Sequence, residues 1–216
     1  MSYEYKIYGR KKGRKKIISF DKDFFQNCKI NLGRDIKKNK KNIIDVGSGS
    51  GENTLFLAKK NPNALIIAIE IFQDGNINLC NQLSSSKLNN VRLFSSNVFK
   101  LFDALNKDSY FNEIWILFPD PWPKNKHFKR RLINDNFFKK VYPYLKKNGK
   151  IFIATDSASY LKSIMNSIYK TKSLYNWQNN KPQEWIYEIL DLPFTKFFKK
   201  AQNSYRSSIF IELIKI

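Results

Sequence analysis

With 216 residues the chain is long enough to bury a large core in a single domain. Its 39 Lys and Arg against 18 Asp and Glu leave a formal charge of +21, an excess that favours a polyanionic partner through counterion release. Cys28 and Cys80 show no CxxC spacing and the chain holds a single His, which argues against a disulfide framework or a metal site and fits a reducing cytoplasm. No apolar core follows Met1 and the longest apolar runs are of strand length, so neither a signal peptide nor a membrane span is expected.

Residues 1–20 form a basic arm, in which Arg10 to Lys16 carries six positive charges in seven residues around Gly13. Like-charge blocks of this kind repel, and serve either as nucleic-acid arms or as solvated tails. From residue 21 to 216 the chain reads as one domain, with no internal repeat and no linker. Phe24, Phe25, Cys28 and Leu32 are spaced for a short helix or two. Asn42 to Pro62, NIIDVGSGSGENTLFLAKKNP, then changes period from strand to glycine turn to helix, the helix beginning near Glu52 or Asn53. Gly47, Gly49 and Gly51 permit backbone to approach a ligand closely. A dinucleotide fingerprint wants G-x-G-x-x-G, and the third place counted from Gly47 is Glu52, so a pyrophosphate loses ground. The pattern D-x-G-x-G-x-G, Asp45 to Gly51, instead resembles the first motif of class I S-adenosylmethionine-dependent methyltransferases, whose ligand carries an ammonium and a sulfonium that a strand-end carboxylate suits.

Ala64 to Glu70, ALIIAIE, is a second buried strand, and Glu70 is placed either to bond ribose hydroxyls or to be an ordinary strand-end acid. A helix over Gly75 to Leu83, a strand over Val91 to Phe94 and then Asn97 follow. Glu113 to Leu117, EIWIL, reads as a buried strand, which places Asp120 just past a carboxyl strand end, where open α/β sheets put ligands. Pro119, Pro121 and Pro123 around it fix three φ angles and make the loop stiff. Leu132 to Lys147 has helical spacing, with Pro143 bending or ending it and Asn148-Gly149 as a stop. Lys150 onward gives a fifth strand leading to Asp156, which either meets substrate or, like Ser157, caps the next helix. Trp185 to Leu190 and Ser207 to Ile216 read as an antiparallel pair joined by a basic loop over 193–206.

The order DVGSGSG, AIE, FPDPWPKNKHFKRR, ATD, TKFF resembles the tRNA (guanine-N7-)-methyltransferase family of the bacterial TrmB type from about Gly9 onward. The resemblance implies a class I, Rossmann-like α/β fold, with a seven-stranded, mostly parallel sheet, an antiparallel C-terminal strand and helices on both faces. It implies methyl transfer from S-adenosylmethionine, leaving S-adenosylhomocysteine, to a guanosine N7 in the tRNA variable loop, in the cytoplasm, by a monomer or homodimer with no metal and no membrane. Asp120 would be catalytic, shared between cofactor and guanine. Asp45, Gly47, Gly49, Glu70 and Asn97 would complete the cofactor set. Lys124, Asp156, Thr195, Lys196, Phe197 and Phe198 would contact substrate. The family usually has Asp at Asn97, Glu at Phe198 and Arg at Lys200. Lys124, Lys126, Lys129, Arg130 and Arg131 are expected to hold phosphates, while Trp122 either stacks on a base or packs beneath the loop. The alternatives are a non-catalytic RNA-binding protein on a methyltransferase fold, or a methyltransferase acting on rRNA or protein.

Overall fold

The computed structural model describes residues 19–38, 40–108, 110–185 and 192–216. The basic arm, and all but Trp185 of the expected strand at 185–190, lie outside the described residues. The chain divides after Tyr110 into two compact units, and its strands belong to a seven-stranded mixed sheet.

In the first unit the elements are α1 (Lys22–Cys28), α2 (Leu32–Asp35), β1 (Asn42–Val46), α3 (Glu52–Lys60), β2 (Leu65–Ile69), α4 (Gln73–Ser84), β3 (Val91–Phe94) and α5 (Val98–Asp103). The strands are parallel in the order β3-β2-β1. NIIDV is buried along its whole length and LIIAI nearly so, as expected of strands covered on both faces. Asp21 and Asn31 start α1 and α2 by accepting from backbone N–H groups of their first turns. The thiols of Cys28 on α1 and Cys80 on α4 meet at 3.8 Å as buried free cysteines.

In the second unit come β4 (Phe111–Leu117), a 3-10 turn (Asn125–Arg130), α6 (Asp135–Val141), β5 (Leu145–Thr155), α7 (Ala158–Lys170), β6 (Tyr175–Trp177), α8 (Lys196–Asn203) and β7 (Ile209–Lys215). The order is β4-β5-β7-β6, with β4 and β5 parallel and β7 antiparallel to both its neighbours. The core here is aromatic: Trp115 stacks on Phe152 at 4.1 Å, and Phe137, Phe138, Tyr160 and Phe210 are almost completely buried.

Three expectations are corrected. The helix predicted to reach Lys147 ends at Val141, because Pro143 cannot continue it, and Leu145 already belongs to β5. Asn148-Gly149 therefore lies in an irregularity of β5, where the register jumps from Phe111↔Leu145 to Glu113↔Lys150 and Asn148 takes φ 58°, and not at a helix stop. The basic segment after Pro193 holds a helix, α8, which buries Phe198 and Ala201. The partner of β7 on its outer side is the short β6.

Candidate functional site

At the carboxyl edge of the first unit, Val46 pairs with Ile69 and Ile69 with Phe94, so the residues that follow the three strands emerge on one side. Gly47, Gly49 and Gly51 all adopt left-handed φ, at 73°, 55° and 91°. The turn is tied to the end of β2, since the Gly47 and Ser48 N–H groups donate to Ile69 O at 2.8 and 3.2 Å. The Glu70 carboxylate accepts from Gly49 N at 2.9 Å, Ile71 N at 2.7 Å and Phe72 N at 2.8 Å. Glu70 thus holds the turn and the start of α4 together. Gly75 completes the fit: a Cβ there would lie 2.4 Å from Gly49 O, so only glycine lets α4 approach the turn so closely. At Gly47, by contrast, a Cβ would meet nothing within 4 Å, so that part of the turn faces open space.

Asp45, at the end of β1, is bonded to α3. It is 2% exposed, with Oδ1 accepting from Asn53 Nδ2 at 2.9 Å and Oδ2 from Thr54 Oγ1 at 2.6 Å, and so it fastens the first turn of α3. Burial pushes its pKa up to about 6, against the opposing pull of the Thr54 and Asn53 bonds. The carboxylate expected to meet the ligand thus has both oxygens bonded within the chain. Among the described residues, Ser48 Oγ and Asn53 Oδ1 are buried polar atoms beside the turn that lack a hydrogen-bond partner. Neither residue is marked in the sequence except by its place beside the glycines. Asn97 caps α5, its Oδ1 accepting from Phe99 N at 2.8 Å. Aspartate would cap equally well, so the amide costs nothing locally. A basic groove of about 990 Å³, lined by Arg34, Lys37, Lys41 and Arg92 among others, lies at the opposite, amino ends of these strands and is not part of this edge.

In the second unit Leu117 pairs with Ala154, so Asp120 and Asp156 emerge beyond the same edge. The proline-rich loop turns sharply, with Phe118 at φ 51° and Trp122 at φ 43°, conformations that bulky residues adopt only where the surroundings enforce them. Phe118 N donates to Ala154 O at 2.8 Å, and its ring lies 6.2 Å from those of Phe198 and Phe210. Asp120 is exposed and accepts no hydrogen bond among the described residues.

The largest departure from expectation is Arg131. It is 3% exposed, and its guanidinium donates to Pro121 O at 2.9 Å, Ser159 O at 3.0 Å and Ser159 Oγ at 2.8 Å, while lying 3.7 Å over the Phe128 ring. It fastens the loop to α7, with its guanidinium bonded to acceptors within the chain. Arg130 sits 4.9 Å over Trp122 and His127 lies 5.7 Å from its ring, so Trp122 makes packing contacts within the loop. Lys124, Lys126 and Lys129 remain exposed.

Asp156 pairs with Arg206 at 2.7 Å, and Ser157, not Asp156, caps α7. Thr195 is the N-cap of α8 and is buried, and Phe198 is 5% exposed among Phe118, Phe194 and Phe210. Of the expected substrate contacts in this segment, Thr195 and Phe198 have cap and core roles, while Lys196 and Phe197 face outward.

A family model described as "Putative methyltransferase" matches residues 39–210. A tRNA (guanine-N7-)-methyltransferase of Syntrophotalea carbinolica is 28% identical over 78% of this chain and 72% of its own length. One from Agrobacterium fabrum is 29% identical over 80% of this chain and 73% of its own. Among solved structures, an rRNA methylase from Streptococcus thermophilus shares the fold, with a TM-score of 0.54 at 14% identity, over 90% of this chain and 93% of that one.

Proposed function

We propose, from the premise that this chain belongs to the tRNA (guanine-N7-)-methyltransferase family, that it methylates N7 of a guanosine in the variable loop of tRNA. The observation that carries the reading is Asp120: an exposed carboxylate without a hydrogen-bond partner among the described residues, on a loop that three prolines stiffen and Arg131 fastens to α7.

The residues of the first unit fit S-adenosylmethionine. Among the described residues Ser48 Oγ and Asn53 Oδ1 are buried without a hydrogen-bond partner, Gly47 opens onto free space, and the Asp45 and Glu70 carboxylates at two neighbouring strand ends suit a ligand of net positive charge. When bound, this group supplies an electrophilic methyl. Glu70 would contribute acceptor capacity to ribose hydroxyls while keeping the glycine turn in place, and Asn97 would offer its amide to the adenine.

Guanine N7 carries a lone pair and no proton, so no general base is needed at that atom. The chain's work is alignment and charge compensation. Asp120 would accept from the guanine N–H donors and offset the positive charge left on the methylated base. Lys124, Lys126 and Lys129 would position phosphates, with Lys196 and Phe197 as outward-facing substrate contacts. We further propose that residues 1–20 act as a basic arm ahead of one methyltransferase domain, working in the cytoplasm as a monomer or homodimer.

A pair of substitutions separates the roles. Glu70→Ala should raise the S-adenosylmethionine Kd about tenfold or more, because a charge-assisted hydrogen-bond pair is worth roughly 1.5–3 kcal/mol. Asp120→Asn should lower kcat by about 100-fold while leaving that Kd within a few-fold, since the amide presents a donor to guanine donors. Near-wild-type turnover in Asp120→Asn would remove it from the reaction.

A further inference from the structure

Tyr205 stands where α8 reverses direction. Its N–H donates to Gln202 O at 2.9 Å and the Arg206 N–H to Ala201 O at 3.0 Å, the paired bonds of a Schellman stop. That stop requires a left-handed residue, and Tyr205 has φ 52°. Glycine takes this conformation freely, whereas a bulky residue is strained in it. Burial of the ring would offset the strain, yet Tyr205 is 99% exposed. Neither backbone preference nor packing accounts for an aromatic residue here.

Its placement does. Arg206, the next residue, is ion-paired at 2.7 Å to Asp156, which follows β5 at the edge where Asp120 follows β4. The stop is therefore pinned to the strand-end side of the second unit. The helix leading to it carries Lys196, Lys199 and Lys200 on its exposed surface together with Phe197, which is 52% exposed. Cations interleaved with exposed rings are the surface that single-stranded nucleic acid stacks on. Resting on the tRNA reading above, we propose that Tyr205 is a stacking site for an unpaired nucleobase of the RNA substrate, held outward by the strained turn.

The test uses Tyr205→Gly and Tyr205→Phe in the full chain, with anisotropy of a fluorescein-labelled, unmodified tRNA transcript over a salt series. Tyr205→Gly relieves the strain, so its melting temperature should rise while its tRNA affinity falls roughly five- to hundredfold, as for removal of one stacked base. The log–log salt slope should stay parallel to wild type, since the phosphates remain held as before. Tyr205→Phe keeps the ring and should bind as wild type. Unchanged affinity in Tyr205→Gly, or a lower melting temperature, would overturn the proposal. Binding needs no methyl transfer, so an inactive wild type would count against the proposed reaction while the stacking result is still read.

Discussion

At Asp45 the burial that anchors α3 also sets a pH dependence. The folded pKa, about 6, lies above the ordinary 3.8, so the native state holds this proton more tightly than the unfolded chain. The stability it contributes is fully present below about pH 4 and is lost as pH rises through about 6, a swing on the order of 3 kcal/mol. Asp45→Asn has no such proton. The stability difference between wild type and this variant, from urea melts at pH 4 to 7, should therefore move against wild type as pH rises; a flat difference would mean that Asp45 is not buried as described. Arg131 makes the opposite point about charge: removing it should affect the fold before the RNA. Arg131→Lys cannot reproduce the forked donation to Pro121 O and Ser159 O, and should lower stability by roughly 2–4 kcal/mol in a urea melt. A variant as stable as wild type would return Arg131 to the phosphate-binding set.

Among the elements, the strands and the glycine turn were legible because buried parallel strands are apolar runs and left-handed turns need glycine. The prolines likewise marked the Asp120 loop. What the spacing could not reveal was which member of a basic run folds inward: Arg131 does so because Ser159, far along the chain on α7, offers acceptors. Three-residue β6 is too short to show a period, and the lysines of α8 masked its apolar face. That helix also explains the departure at Phe198. A glutamate there would bring a carboxylate among the rings of Phe118, Phe194 and Phe210. Phe198→Ala should cost about 3–5 kcal/mol by thermal or urea unfolding, and Phe198→Glu more, without any gain in turnover. At this position the side chain packs. A Phe198→Glu variant that folds normally and turns over faster would show that the acid usual at this place does more than pack.

For the molecule as a whole, a charge of +21 is the property most exposed to solution conditions. If Arg10 to Lys16 grips tRNA phosphates, deleting residues 1–16 should raise the KM for tRNA and flatten its salt dependence, by about 0.7–0.9 in log–log slope for each phosphate no longer neutralised. Turnover at saturating tRNA should change little, because interactions that only position the RNA stabilise ground and transition states alike. Parallel slopes for the two proteins would make the arm a solvated tail. The proposed reaction is read most directly by mass-spectrometric mapping of unmodified tRNA transcripts after incubation with wild-type protein and S-adenosylmethionine. One added methyl group per tRNA is expected, on N7 of a variable-loop guanosine, and almost none with Asp120→Asn. Methylation at another atom or base, or no transfer to tRNA by a protein that binds S-adenosylmethionine, would rule that reaction out.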